Sequence, residues 1–222
     1  ETKAAFDAVE KLKPGDIVWI GAEYAPSNNP ELEPSLTSFM RQAFSKNLRI
    51  VSGSMWNSGG NMLDNGWNAV QRDFPDKKYG VDYVNIGYKP GSGVLLEKLV
   101  ASVNEAAMGR DHYNNEISKL PLMQEFKSLK EAKLVFVLIS GSPGDADYRK
   151  HVTDVYKIPL VVACVSVNVT GTMPFLQSGQ VVGLVAGMTG GAEYEVLVKK
   201  PGKAVAGMDA QSLAHLLIVF FI

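Results

Sequence analysis

The stretch KLVFVLIS, residues 133–140, decides the fold class of this chain. Its apolar core is uninterrupted, which is typical of a strand buried on both faces, as the central strands of parallel sheets are. A loop of small residues, SGSPGD at 140–145, follows it, and a segment with helical periodicity continues to residue 157. A buried strand, a short loop and a helix in this order predict one unit of a parallel α/β sheet.

The same alternation is found along most of the chain. Short apolar runs that predict strands lie at residues 16–24, 48–54, 81–88 and 158–167, with amphipathic segments between them. Five strands alternating with helices predict an α/β fold with an open, mostly parallel five-stranded sheet and helices on both faces. The architecture resembles Rossmann and flavodoxin-like folds, without a sequence motif that identifies a family.

The domain organisation follows from the two ends of the chain. Residues 1–13 predict a short amphipathic helix that could continue an upstream anchor, and residues 14–203 predict a single α/β domain. Residues 204–222 are interpreted as a linker and the start of a transmembrane helix, because the chain from Leu213 to Ile222 is apolar except for His215. The alternative is a C-terminal helix or strand buried in the domain.

Composition limits the classes of partner. The chain has 222 residues, a formal net charge of -1 and 20% charged residues, so nothing in its bulk electrostatics favours nucleic acid. The single cysteine, Cys164, lies in an apolar run, where a buried side chain is expected and an internal disulfide is impossible. Lys199, Lys200 and Lys203 precede the apolar terminus and favour a domain on the cytoplasmic side of a membrane. The sequence alone does not fix that side.

The stretch LQSGQVVGLVAGMTGGAEY, residues 176–194, predicts a helix with a bare face. Gly179, Gly183 and Gly187 recur every fourth residue, a spacing that stacks them on one side of a helix. Glycine in a helix costs about 1 kcal/mol relative to alanine, so we expect another backbone to pack closely against this face. That backbone would belong either to the sheet of the same domain or to a second subunit of a homo-oligomer.

Ligands of open α/β sheets bind beyond the carboxyl ends of the strands, where this chain places loops of small polar residues. The loop after residues 133–139 is the main candidate, because amide groups at a helix N-terminus favour an anion. The alternative is an ordinary strand-to-helix turn with Asp145 as N-cap. The loop matches neither a P-loop nor a dinucleotide-binding motif, and no GxSxG nucleophile motif occurs. The candidate ligand-binding residues are Ser140, Gly141, Ser142, Gly144, Asp145, Ser54 and Gly91.

Other candidate chemical groups are scattered. His112, His151 and His215 have no second histidine or cysteine at ligand spacing, so we expect neither a metal site nor a cofactor. His112 belongs to a polar stretch, residues 109–120, that predicts a surface excursion or a disordered loop. Glu193 and Glu195 are expected on a solvated or salt-bridged surface, with acid/base chemistry as the alternative.

Three functional hypotheses follow. The first is a membrane-anchored domain that acts as a structural or scaffold subunit of a homo-oligomeric membrane assembly. The second is a sensory or binding domain for a small polar or anionic ligand, using the loops at the carboxyl edge of the sheet. The third is a hydrolase or transferase, with Asp145, Glu23 and Ser54 as generic catalytic candidates, although no nucleophile is paired with a base at a recognisable spacing.

Overall fold

The computed structural model describes residues 1–221, and the side chains of residues 1–219. It confirms the α/β class and an open sheet between helices, with all strands parallel. The sheet has six strands where the sequence predicted five. In spatial order they are β3 (Tyr83–Tyr88), β2 (Arg49–Ser54), β1 (Ile17–Glu23), β4 (Leu134–Ile139), β5 (Leu160–Cys164) and β6 (Gly183–Ala186).

Helices cover both faces of the sheet. One face carries α1 (Thr2–Glu10), α2 (Asn29–Ser45), α3 (Gly59–Val70) and α10 (Gly187–Leu197). The other face carries α4 (Ser92–Ala101), α5 (Val103–Ala106), α6 (Pro121–Glu125), α7 (Asp145–Tyr148), α8 (Asp154–Tyr156) and α9 (Val169–Gln177). A last helix, α11 (Lys203–Phe221), leaves the domain beside α10 and α2.

Two hydrophobic cores result from the alternation of side chains along each strand. Trp19 of β1 and Val135 of β4 point into the core under α4 to α9. Val18 and Phe136, one residue away on the same strands, point into the core under α1, α2, α3 and α10. Every residue of β1 and β4 is buried, as the uninterrupted apolar run in KLVFVLIS predicted.

The predicted glycine-faced helix over residues 176–194 is wrong. That stretch contains the end of α9, a turn, the sixth strand and the start of α10. Gly179 has φ +79° in the turn, and Gly187 has φ +55° where the chain enters α10. Gly183 lies in β6, where a side chain would collide with the backbone of Ala5 in α1. The three glycines therefore serve three separate backbone requirements, and the close packing at Gly183 is within the domain.

The C-terminal segment is helical from Lys203, without the predicted linker. Ala204 is buried against the domain, whereas every side chain from Asp209 to Val219 is exposed. Within residues 1–221, no helix combines the length and the apolar character that crossing a membrane requires. Ile222, the last residue of the predicted span, lies outside the described residues.

Candidate functional site

The strand order places a topological switch point between β1 and β4, where ligands of such sheets usually bind. Glu23 ends β1 at this point and pairs in register with Ile139 at the end of β4. The backbone N–H of Ser140 donates to the Glu23 carbonyl at 3.0 Å, so the candidate loop starts directly beside Glu23.

The Glu23 carboxylate is completely buried, and three donors surround it. It accepts hydrogen bonds from the Tyr148 hydroxyl at 2.9 Å, the Ser54 hydroxyl at 3.1 Å and the backbone N–H of Met55 at 2.7 Å. Burial raises the pKa of Glu23 to about 7, although these hydrogen bonds act in the opposite direction. Glu23 therefore joins the end of β1 to the chain after β2 and to α7.

Gly21 of β1, which has no side chain, leaves space for Tyr148. A side chain on Gly21 would collide with the Tyr148 hydroxyl, so glycine allows that hydroxyl to lie over the strand. The Trp19 indole N–H donates to the same hydroxyl at 3.2 Å. Trp19, Gly21 and Glu23 share one face of β1, which accounts for a line of hydrogen bonds from Trp19 through Tyr148 to Glu23.

The Ser54 hydroxyl lies within hydrogen-bond distance of the Glu23 carboxylate, but both side chains are buried. Ser54 is 3% exposed, and its single hydroxyl hydrogen has three acceptors within reach, the Ala22 carbonyl at 2.7 Å, the Trp56 carbonyl at 3.0 Å and the Glu23 carboxylate at 3.1 Å. A substrate has no open approach to this hydroxyl in the structure. Asp145, the third generic catalytic candidate, instead pairs with Arg149 at 3.1 Å.

The loop Ser140–Asp145 is closed by a side chain from the neighbouring loop. The Trp56 indole N–H donates to the Pro143 carbonyl at 2.9 Å, and a side chain on Gly141 would contact the same indole at 3.5 Å. A side chain on Gly144 would meet the Gly141 carbonyl at 2.5 Å, so Gly144 is required for the tight turn. This geometry is that of a strand-to-helix turn covered by Trp56, but the expected N-cap at Asp145 is wrong: Gly144 precedes the helix as its N-cap, and Asp145 is the first helical residue.

The remaining ligand candidates do not add to a site in this loop. Ser142 is exposed, and Gly91 lies after β3, where it has φ +136° and precedes α4. The structure brings Ser54 close to Glu23 and Trp56, but it does not gather all seven predicted residues around one cavity.

A second polar cluster, at the end of β3, was missed from the sequence. Asp64 of α3 accepts hydrogen bonds from Asn85 at 2.9 Å and from the Tyr113 hydroxyl at 2.6 Å, and its other oxygen lies 3.3 Å from His112 Nε2. The stretch 109–120 that supplies Tyr113 and His112 is ordered over this edge, with Asp111 buried. The polar composition of this stretch predicted a surface excursion or a disordered loop. The contacts that hold it in place were missed because the partners are distant in sequence.

The described residues contain no group of three or more His, Cys, Asp or Glu side chains that could hold a metal ion. Cys164 is buried, and burial raises the pKa of its thiol to about 12. The thiol is therefore held in its neutral form near pH 7.

Glu195 was expected on the surface, but it is 2% exposed. Its carboxylate accepts backbone N–H groups from Gly202 at 2.9 Å, Ala204 at 3.2 Å and Val205 at 2.9 Å. These are the otherwise unsatisfied donors at the start of α11, so Glu195 acts as a cap supplied by the preceding helix.

No protein-family model matches this chain, and no curated protein is significantly similar to it.

Proposed function

We propose that this chain is a membrane-attached α/β domain whose C-terminal helix places its apolar end in a lipid bilayer, where the domain serves as a structural or scaffold subunit. The observation that carries the proposal is the exposure of the apolar residues near the end of α11. Five of them are between 52% and 75% exposed: Leu213, Leu216, Leu217, Ile218 and Val219.

The arrangement of these residues favours lipid over a protein groove. Successive residues of an α-helix are about 100° apart, so these five side chains point to all sides of α11. A groove on a partner would cover one side of the helix, whereas lipid surrounds it. The run from Leu213 to Phe221 is about 13 Å long, so it would extend less than halfway through a hydrocarbon core of about 30 Å.

The attachment of α11 to the domain supports a structural role. Besides the Glu195 cap, Lys203 pairs with Glu33 at 2.7 Å and Lys200 pairs with Asp73 at 3.0 Å. Contacts to α10, to α2 and to the 3-10 turn that follows α3 therefore fix the direction in which α11 leaves. A helix that leaves the domain in a fixed direction holds the domain at a fixed position relative to the membrane. A scaffold requires this, and a flexible tether does not provide it.

The cytoplasmic-facing orientation rests on the sequence alone. Lys199, Lys200 and Lys203 flank the apolar end, as cytoplasmic segments commonly do. Lys200 and Lys203 are also used in ion pairs with the domain, which gives them a structural reason to be present.

The homo-oligomeric part of the proposal no longer rests on the three glycines. Its support is a groove of about 650 Å³ between α10 and the first turns of α11, where Val196 is 59% exposed. Apolar patches beside a membrane anchor are suited to contact with another copy.

Vesicle flotation tests the membrane attachment. We expect the chain to float with vesicles of phosphatidylcholine and phosphatidylglycerol, and the double variant Leu217→Asp/Ile218→Asp to remain in the dense fraction. The matched control is Val167→Asp, because Val167 is an apolar residue 82% exposed on the loop after β5. Flotation of the double variant together with the control, or no flotation of the chain, contradicts the proposal.

Light scattering in mild detergent tests the oligomer separately. A defined oligomer that Val196→Asp dissociates supports the assembly. A monodisperse monomer contradicts the homo-oligomer without affecting the flotation result.

A further inference from the structure

Helix α11 runs back along α10, from the end of that helix to its start. Near the end of α10, Glu195 accepts a hydrogen bond from the backbone N–H of Val205 at 2.9 Å. Near the start of α10, the Thr189 hydroxyl donates to the Met208 sulfur at 3.8 Å. Because α10 begins at Gly187, directly after β6, α11 reaches the carboxyl edge of the sheet at about Met208.

The rest of α11 continues beyond this edge. Every side chain from Asp209 to Val219 is exposed, and the apolar run begins at Leu213. The rise from Met208 to Leu213 is about 7 Å along the helix. The polar headgroup region on each side of a bilayer is about 5–7 Å thick. If Leu213 lies at the hydrocarbon boundary and α11 follows the bilayer normal, the carboxyl edge of the sheet lies at the level of the lipid headgroups.

The loop after β5 forms part of this edge beside α10. A side chain on Gly187 would collide with the Ser166 hydroxyl, so the loop touches the first residue of α10. Glu31 of α2 holds the loop in place, since its carboxylate accepts hydrogen bonds from the Ser166 backbone N–H at 2.8 Å and from the Ser166 hydroxyl at 2.5 Å. Val167 follows in the same loop and is 82% exposed. A fixed loop therefore holds an apolar side chain outward at the edge that α11 passes.

The segments that build this part of the edge carry no charge. From Ile158 to Ala192 the sequence contains no Asp, Glu, Lys, Arg or His residue. That stretch supplies β5, α9, β6 and the start of α10, and it includes exposed residues at Ser166, Val167 and Thr170. Surfaces that face water are usually rich in charged side chains. Neutral side chains enter a lipid interface at a lower desolvation cost than charged ones.

We propose that the carboxyl edge of the sheet faces the bilayer and that the loop of residues 165–168 rests among the lipid headgroups, with Val167 at the lipid–water boundary. The proposal rests on the membrane attachment proposed above, and it adds the orientation of the domain and a second contact with lipid. The loops at which ligands of open α/β sheets bind lie on this same edge, so they face the membrane as well.

Dyes placed at the two edges of the sheet test the orientation. The variants Val167→Cys and Lys133→Cys each accept one thiol-reactive, environment-sensitive dye. Lys133 is the matched control, because it is exposed directly before β4 and the six residues of that strand separate the two edges by about 20 Å. The Cys164 thiol is buried and neutral, so it should not react, and labelling of the unmodified chain checks this.

The dyes are compared on vesicles of phosphatidylcholine and phosphatidylglycerol. We expect lipids with a nitroxide near the headgroup to quench the dye at position 167 and to leave the dye at position 133 bright. Aqueous iodide should do the reverse, with quenching at position 167 at least about threefold weaker than without vesicles, because the headgroup region excludes part of the water. A single side chain at this level adds little to the attachment that α11 provides, so Val167→Asp still floats.

The outcomes separate this proposal from the attachment itself. A chain that floats while both dyes stay equally open to iodide overturns the orientation and leaves the attachment standing. Shielding of position 167 from iodide without quenching by the nitroxide lipids also overturns it, because another copy of the chain would then cover the loop. A chain that does not float overturns the attachment, and the orientation with it.

Discussion

The Glu195 carboxylate of α10 accepts a 2.9 Å hydrogen bond from the backbone N–H of Val205, in the first turn of α11. Two further backbone donors, Gly202 and Ala204, reach the same carboxylate. A negative charge at a helix N-terminus is stabilised by the unsatisfied N–H groups and by the helix dipole. This side chain therefore holds the first turn of α11 against α10.

Replacing Glu195 should loosen this junction. Glu195→Gln removes the charge but keeps one acceptor oxygen, so at least one buried N–H loses its partner, at a cost of about 1–3 kcal/mol in the free energy of unfolding. Urea denaturation measures the change. Glu193→Gln is the control, because Glu193 is exposed two residues earlier on the same helix. Equal stability of the two variants would show that the cap is not needed.

Glu23 should make stability depend on pH. Burial raises its pKa in the folded protein to about 7, above the ordinary value of 4.5. The folded state then binds more protons than the unfolded state between these values. The contribution of Glu23 to the stability of the folded state is complete below about pH 4.5 and is lost as the pH rises to about 7. The total loss is on the order of 3 kcal/mol.

The variant Glu23→Gln isolates this effect. We expect its free energy of unfolding, relative to that of the unmodified chain, to improve as the pH is raised from about 5 to about 8. Urea denaturation at several pH values gives the difference, in which other titrating groups cancel. Glu105→Gln, on the exposed surface of α5, should show no such trend. A flat difference for Glu23→Gln contradicts the raised pKa.

The strands that were predicted correctly have a strong local signal. The runs that became β1, β4 and β5 are short, apolar and rich in branched side chains, because each strand is buried on both faces. The sixth strand was missed because Gly183–Ala186 has only four residues and lies between glycines at helical spacing. That spacing resulted from separate requirements in a turn, a strand and a helix start, which a sequence pattern does not distinguish.

The candidate sites depended on contacts between distant residues. Ser54 and the loop Ser140–Asp145 were identified because the carboxyl ends of parallel strands share one edge. Closure of that loop by Trp56, and the approach of His112 to Gly60, join segments far apart in sequence.

Gly183 should not tolerate a side chain. A methyl group there would collide with the backbone of Ala5, so Gly183→Ala should displace α1 from β6 and destabilise the domain by about 1–3 kcal/mol. Gly171→Ala is a matched control, because no atom lies within 4 Å of the added methyl group in α9. It should be neutral or stabilising by up to about 1 kcal/mol. Thermal unfolding distinguishes the two, and a neutral Gly183→Ala would contradict the packing of α1 on β6.

Tyr148 should affect both stability and the pKa of Glu23. Its hydroxyl donates to Glu23 at 2.9 Å and accepts from Trp19 at 3.2 Å, so Tyr148→Phe leaves a buried donor and a buried acceptor without this partner. We expect a loss of about 1–3 kcal/mol in the free energy of unfolding, and Tyr88→Phe, at a tyrosine 42% exposed, should cost much less.

Because the hydrogen bond from Tyr148 lowers the pKa of Glu23, its removal should move that pKa further above the ordinary value. Carbon-13 chemical shifts of the Glu23 carboxyl group measure the pKa directly. An unchanged pKa in Tyr148→Phe would mean that the hydrogen bond contributes nothing to the charge state of Glu23.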